Sequence, residues 1–414
     1  MAKERSGGKA ICSLLICWLF YLYSYVTRVE PSVLVNQLQS EFGITTSVIG
    51  FVISIAYIPY VAMQIPCGIL TDKLGIKNML LASCVLSSIG AFVFGSAETT
   101  FQLGMGRFMI GLAAASAFLC CGKVASEYFA KERYAILMGF AMFMGCLGGI
   151  FGTAPIAYFS DLVGWRMTTY VISFIGLILA VAVIFTIEKT KKHEVEQNSL
   201  LKGLKILIKN PNAWLIGFYG SMTYLPLSAL AELWSVPFVE KRYGISTELA
   251  AISPIVIFIG FGLGGIVAAW IAKKIDSYRN TIMSFTCLVI LTFAIAIYSE
   301  SVSFWIMMAL FFIGGVGAGA NTLCFSMAYD LVPREFSGTS SGFTNAVIMS
   351  SGILFQPLLG KLLDYYRNGL TSADGSPIYT VEAYRGAFAF VIVALVLALV
   401  VTFLIKDKQN TDNV

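Results

Sequence analysis

Gly68-Ile-Leu-Thr-Asp72-Lys73-Leu-Gly75-Ile-Lys77 is a short charged interruption between two long apolar runs. Each residue type has a job at the end of a helix pair. Gly68 allows two helices to approach closely. Asp72 can accept from a facing helix N-terminus or a basic side chain. Gly75 permits a tight turn, and Lys73 and Lys77 hold the loop at the cytoplasmic face of a bilayer. An ordinary loop of basic residues does not require this Gly-x-x-x-Asp-x-x-Gly spacing.

Outward from this loop the apolar runs continue in both directions. They centre near Leu15, Ile55, Val85, Leu112, Met144, Ile175, Tyr219, Ile257, Val289, Phe312, Met349 and Val396. The chain is 57% hydrophobic and only 12% charged, against about a quarter charged in a soluble domain. A soluble protein must cover its surface with polar groups, and a bilayer removes that demand. Twelve spanning helices of roughly 20 residues each fit within the chain with short loops to spare. The expected fold is therefore an all-α membrane protein of twelve transmembrane helices.

Lys3, Arg5 and Lys9 precede the first run as in a signal peptide, but no small-residue cleavage site follows, so a retained first helix is expected. With the N-terminus inside, most of the 28 Lys and Arg residues fall on inside loops. Lys73, Lys77, Lys131, Arg133, Lys189, Lys191, Lys192, Lys273, Lys274, Arg334 and Lys406 are examples, while Arg166, Lys241, Arg242 and Arg385 fall outside. The asymmetry predicts a multi-pass inner (plasma) membrane protein with both termini cytoplasmic. The net charge of +5 then reflects topology and gives no reason to expect nucleic-acid binding. The nine cysteines all lie in apolar runs and read as packing residues.

The longest charged stretch in the middle of the chain, Glu188 to Pro211, divides six runs from six. It predicts an N-terminal half (1–188), a cytoplasmic linker (189–211) and a C-terminal half (212–414). The leucine spacing after Ser199 is amphipathic and suits a helix lying on the membrane surface. The halves share a weak repeat at one constant offset. Gly111 maps to Gly314, Glu127 to Asp330, Gly139 to Gly342, Gly149 to Gly352 and Asp161 to Asp364.

Gly68–Lys77 resembles the signature loop between helices 2 and 3 of the major facilitator superfamily, with Lys73 where Arg is usual, which weakens bidentate pairing. The loop Trp270-Ile-Ala-Lys273-Lys274-Ile-Asp276 lacks the matching acid, so an asymmetric gate is expected. Gly106-Arg107-Phe-Met-Ile-Gly111 resembles the helix 4 R-x-x-x-G signature of the same superfamily. Gly145-Cys-Leu-Gly148-Gly149-Ile-Phe-Gly152-Thr-Ala-Pro155 resembles its glycine-rich helix 5 motif without the central Gly-Pro, which argues against multidrug export. Close helix packing accounts equally for that glycine spacing. Tyr25-Val-Thr-Arg28-Val-Glu30-Pro31-Ser32 looks like the Y-x-x-R-x-x-x-S pattern of the anion:cation symporter branch. The overall layout also resembles, loosely, bacterial relatives of the lysosomal dipeptide transporters.

These resemblances imply a two-half carrier working by alternating access, with the solute between the halves. Arg28 is then expected to meet a carboxylate or phosphate, with Tyr25, Arg107 and Asn345 as further substrate contacts. Glu232 lies near the repeat counterpart of Arg28 and is expected to bind a cationic group or, like Glu30, to carry a proton. Gly68, Asp72, Lys73, Gly75 and Lys77 are the expected gate. A charge at a helix centre costs about 2.5–3.5 kcal/mol on insertion scales and so needs a partner or a wet cavity. The alternative for Arg28, Glu30 and Glu232 is a position at the outer helix ends, with their charges reaching water. Lys123 precedes Glu127 by one turn, so a local ion pair is as good a reading as a solute contact.

The one histidine, His193, lies in the linker, which excludes a buried His relay. No phosphate-binding Gly-rich loop ending in Lys-Ser/Thr is present. No catalytic residues, cofactor or metal are expected. The partners expected are a small-molecule solute, protons and the lipid bilayer, with a monomer sufficient. Three functions compete: a proton-coupled carrier of an organic anion or zwitterion, a dipeptide facilitator, and a non-transporting sensor on the same fold. The intact Asp72 loop favours a moving protein.

Overall fold

The computed structural model describes residues 7–129, 133–188, 197–333, 336–371 and 377–406. His193 and residues 189–196 of the linker lie outside them. Every extended element among the described residues is a helix, and Thr371 and Pro377 form an isolated β-bridge. In chain order the helices are α1 (Gly7–Val29), α2 (Pro31–Phe42), α3 (Thr46–Ser54), α4 (Tyr57–Ala62), α5 (Gln64–Leu74), α6 (Ile76–Gly95), α7 (Thr100–Ala114), α8 (Ala117–Tyr128), α9 (Tyr134–Phe151), α10 (Ala154–Val163) and α11 (Trp165–Thr186). They continue as α12 (Gln197–Lys209), α13 (Pro211–Thr223), α14 (Ser235–Tyr243), α15 (Thr247–Ala250), α16 (Ile252–Ile275), α17 (Tyr278–Tyr298), α18 (Phe304–Ala318), α19 (Leu323–Tyr329), α20 (Ser337–Tyr366) and α21 (Val381–Thr402).

Ten continuous or gently broken helices among the described residues are long and apolar enough to cross a membrane. Two further crossings are assembled from shorter pieces. The second runs through α3, α4 and α5, and the seventh through α13, a π-helical stretch (Pro226–Trp234) and α14. The breaks have chemical causes. Pro59 and Pro66 remove N–H groups from the second crossing, and Pro226 opens the π-helical stretch. Phe185 (83% exposed), Phe101 (74%) and Trp305 (67%) project from the helices as only a lipid-facing wall tolerates.

The chain forms two compact units. One comprises Met1–Gln37 and Val52–Val195, the other Leu38–Phe51 and Glu196–Val414. In the first, α1 packs on α9, and α6 packs on both α7 and α11. Without a hydrophobic drive between helices in lipid, small and hydroxylated residues make these contacts. Ser173 Oγ donates to the Ser88 carbonyl at 2.8 Å, and the Ser83 and Ser116 hydroxyls meet at 2.7 Å. In the second unit α16 packs on α18, and α17 on α18 and α21. Tyr219 and Thr286 share a hydrogen bond of 2.9 Å there.

The amphipathic part of the linker is α12. It buries Leu207 with Ala213, Val332, Phe336 and Phe343, while Lys202, Lys205 and Lys209 are exposed on its opposite side. All nine cysteines are free thiols, and Cys17, Cys67, Cys84, Cys120, Cys121 and Cys324 are buried among helices.

Candidate functional site

The site begins with a break in the first crossing. α1 ends at Val29 and α2 starts at Pro31. Proline has no N–H, so the Thr27 carbonyl loses its helical donor four residues on. Arg107 of α7 replaces it. Its Nη1 donates to the Thr27 carbonyl at 2.6 Å and its Nη2 to the Arg28 carbonyl at 3.4 Å. Arg107 is 1% exposed. The residue expected to hold solute therefore spends two of its donors on the backbone that carries Arg28, and it also borders the pocket described next.

Arg28 is buried, with its guanidinium carbon 4.7 Å from the Tyr25 ring centre, 4.8 Å from Tyr60 and 5.8 Å from Tyr57. Aromatic faces stabilise a cation at these distances. Two packing features bring the rings in. Gly148 of α9 lets the Leu22 carbonyl and the Tyr25 side chain occupy the space a Cβ would fill. Gly111 of α7 does the same for the Ala56 carbonyl, at the turn that separates α3 from α4 and swings Tyr57 and Tyr60 inward. A narrow pocket lies here, lined by Ser24, Arg28, Ala56, Tyr57, Tyr60, Arg107, Ile110, Gly111 and Ala114. Two guanidinium groups and no carboxylate face it among those residues. Ser24, Ile110 and Ala114 carried no sequence signal; they are ordinary residues brought to the pocket by tertiary packing.

Glu30 is 1% exposed and accepts from Thr169 Oγ1 of α11 at 2.6 Å. Reach to water from an outer helix end is therefore not the arrangement of Arg28 or Glu30, both of which are enclosed by protein. Glu30 is not among the residues lining the pocket. Thr169 was not foreseen, since nothing distinguishes it from other membrane threonines in the sequence.

In the second unit Glu232 is likewise 1% exposed and sits in the π-helical stretch, where Tyr224 Oη donates to it at 3.2 Å. Short π stretches inside α-helices often accompany functional sites. Asn345 is half-buried on α20. Two other amides in the apolar runs are used between helices: Asn321 donates to the Gly220 carbonyl at 2.7 Å, and Gln356 to the Ser228 carbonyl at 2.6 Å. Lys123 and Glu127 form the local ion pair, at 3.4 Å.

At the expected gate, Gly75 takes φ 81° and caps α5, a backbone state that suits only glycine. Lys77 Nζ donates to the Ile184 carbonyl at 2.5 Å, and Lys73 is exposed. Among the described residues none approaches Gly68 closely. A Cβ at that position meets no described atom within 4 Å. The Asp72 side chain lies outside the described residues.

Helices long and apolar enough to cross a membrane, packed around a pocket that holds two buried arginines, are an arrangement that suits a membrane carrier. The chain belongs to the Major Facilitator Superfamily, whose profile matches residues 11–357. It is 23% identical to a probable galactarate/D-glucarate transporter of Bacillus subtilis, over 98% of this chain and 96% of that protein. It is 21% identical to a hexuronate transporter of the same organism, over 85% of this chain and 87% of the other. Among solved structures it resembles an inward-facing, unoccupied bacterial homologue of the human lysosomal transporter Spinster, with a TM-score of 0.80 and 15% identity over 97% and 98% of the two chains. That likeness speaks for the fold: twelve helices in two six-helix halves.

Proposed function

We propose that the protein carries a small organic anion across the inner membrane, with the solute's carboxylate held at Arg28. The observation that carries this reading is the pocket itself, where Arg28 and Arg107 meet Tyr57 and Tyr60 and no lining carboxylate, with the Tyr25 ring against the Arg28 guanidinium. Arg28 presents a planar fork suited to a carboxylate, and the tyrosine and Ser24 hydroxyls suit the hydroxyl groups of a sugar acid. The relatives named for galactarate, D-glucarate and hexuronate support an acidic, hydroxylated solute.

In this reading the halves 1–188 and 212–414 exchange access to the solute, joined by the linker 189–211, with both termini cytoplasmic. Glu232 is the coupling acid and a partner of the solute from the second half, with Asn345 beside the path and Glu30 as the alternative proton carrier. Gly68, Asp72, Lys73, Gly75 and Lys77 form the internal gate. A buried carboxyl that gains and loses a proton as access changes would link uptake to the proton gradient.

The test is uptake of D-glucarate and D-glucuronate into vesicles containing the purified protein, with and without an inward proton gradient. Uptake is expected to rise with the gradient. Glu232→Gln is expected to abolish that response while sparing solute exchange. An unchanged response in Glu232→Gln removes Glu232 from proton coupling and directs the same test to Glu30.

A further inference from the structure

We propose that Asp364 is a gating residue, whose carboxylate clasps the N-terminus of α3 and must release it each time the external side of the carrier opens. This rests on the topology and alternating access proposed above. Asp364 lies in the last turns of α20. Its Oδ1 accepts from Thr46 Oγ1 at 2.9 Å and from Tyr379 Oη at 2.5 Å. Its Oδ2 accepts from the Ser47 N–H at 3.0 Å and from the Ser47 hydroxyl. Tyr379 Oη in turn accepts from the Thr46 N–H at 3.0 Å, which closes a ring of bonds. The first N–H groups of a helix have no helical acceptors and carry partial positive charge. A carboxylate placed on them makes strong, charge-assisted bonds. The backbones are also in contact. The Gly360 carbonyl lies 3.0 Å from Thr46 Oγ1 and shares its one proton with Asp364, and a Cβ on Gly50 would stand 2.6 Å from the Gln356 carbonyl oxygen.

What makes this a gate rather than a fixed cap is how the second crossing is divided. Leu38–Phe51 clusters with the second unit, and Val52–Val195 with the first. Just beyond that boundary the helix is interrupted. The N–H groups of Ile55 and Ala56 donate three residues back, to Val52 and Ile53 at 3.3 and 3.4 Å, and Pro59 follows. A segment bound to one unit and joined to the other through a loosened turn is a hinge. In a carrier whose halves move against each other, that segment has to bend or change partners in every cycle. Asp364 is the strongest polar tie on it, and dissolving that tie is the step that frees it.

Hydrogen–deuterium exchange on the full-length protein in nanodiscs, with no solute present, tests this. Asp364→Asn replaces one acceptor oxygen by a donor and removes the charge. It is expected to speed exchange across 44–52 by roughly ten- to a hundredfold, the range for hydrogen bonds to a charged group. It is also expected to slow exchange across 68–77, because opening one side closes the other. Ser47→Ala, which removes a single bond, is expected to shift both segments the same way by less, and it decides the matter if Asp364→Asn does not fold. Faster exchange confined to 44–52, with 68–77 unchanged, identifies a static cap and overturns the proposal, as does no change at 44–52. Because no solute enters the measurement, a failure here leaves the proposed anion site standing. A failure of every solute to bind leaves this result equally readable.

Discussion

At the residue scale the account turns on two arginines with different work. Arg107 mends the backbone where Pro31 removes a donor, so its role is to hold the segment that aims Arg28. Arg107→Ala leaves the buried Thr27 carbonyl without that donor and is expected to lower stability by about 1–3 kcal/mol, seen as a lower unfolding temperature in detergent. Arg107→Lys, with a single point donor, is expected to recover only part of the loss. Arg28 depends on its aromatic surroundings. Tyr60→Phe keeps the ring face and is expected to keep solute affinity within about twofold, while Tyr60→Ala is expected to cost about 1 kcal/mol, close to fivefold, in a binding titration. Arg28, Glu30 and Arg107 stand out in the sequence because a charge in an apolar run is rare. That Arg107 faces a backbone carbonyl was not legible there, since its acceptor is a carbonyl and carbonyls leave no mark in a sequence.

At the element scale, hydropathy located every crossing, because bilayer thickness fixes run length independently of tertiary detail. It did not show that the second crossing is three short helices or that the seventh contains a π-helical stretch. Prolines announce a break, but the form of the break is set by what compensates for it. The Ala56 carbonyl bulges toward α7 only because Gly111 leaves room. Glycines separate into two kinds on the same ground. Gly148→Val is expected to push α1 from α9 and cost about 1–3 kcal/mol, as overpacking does, with solute binding lost alongside because Tyr25 moves. Gly68→Ala meets no described atom within 4 Å and is expected to leave the stability within about 0.5 kcal/mol of the parent. If Gly68 belongs to the internal gate, the same variant is expected to slow transport without loss of stability, an effect visible only in flux.

At the scale of the whole molecule, superfamily membership follows from a profile match to most of the chain, and carriage of an organic anion is the proposal built on it. Asp72→Asn is expected to leave solute binding nearly intact and slow transport, and normal transport rates in that variant would remove Asp72 from the gate. The central claim is more local: the carboxylate of the solute is held by Arg28. The most direct measurement is a thermal-shift screen of the purified protein against sugar acids, other carboxylates, organophosphates, amino acids and dipeptides, with Arg28→Ala run beside the parent. A ligand at about a hundred times its Kd stabilises by roughly 2.7 kcal/mol, which such a screen resolves. The account predicts stabilisation by sugar acids or related carboxylates that disappears in Arg28→Ala. Stabilisation that survives in Arg28→Ala, or by neutral solutes alone, would contradict it.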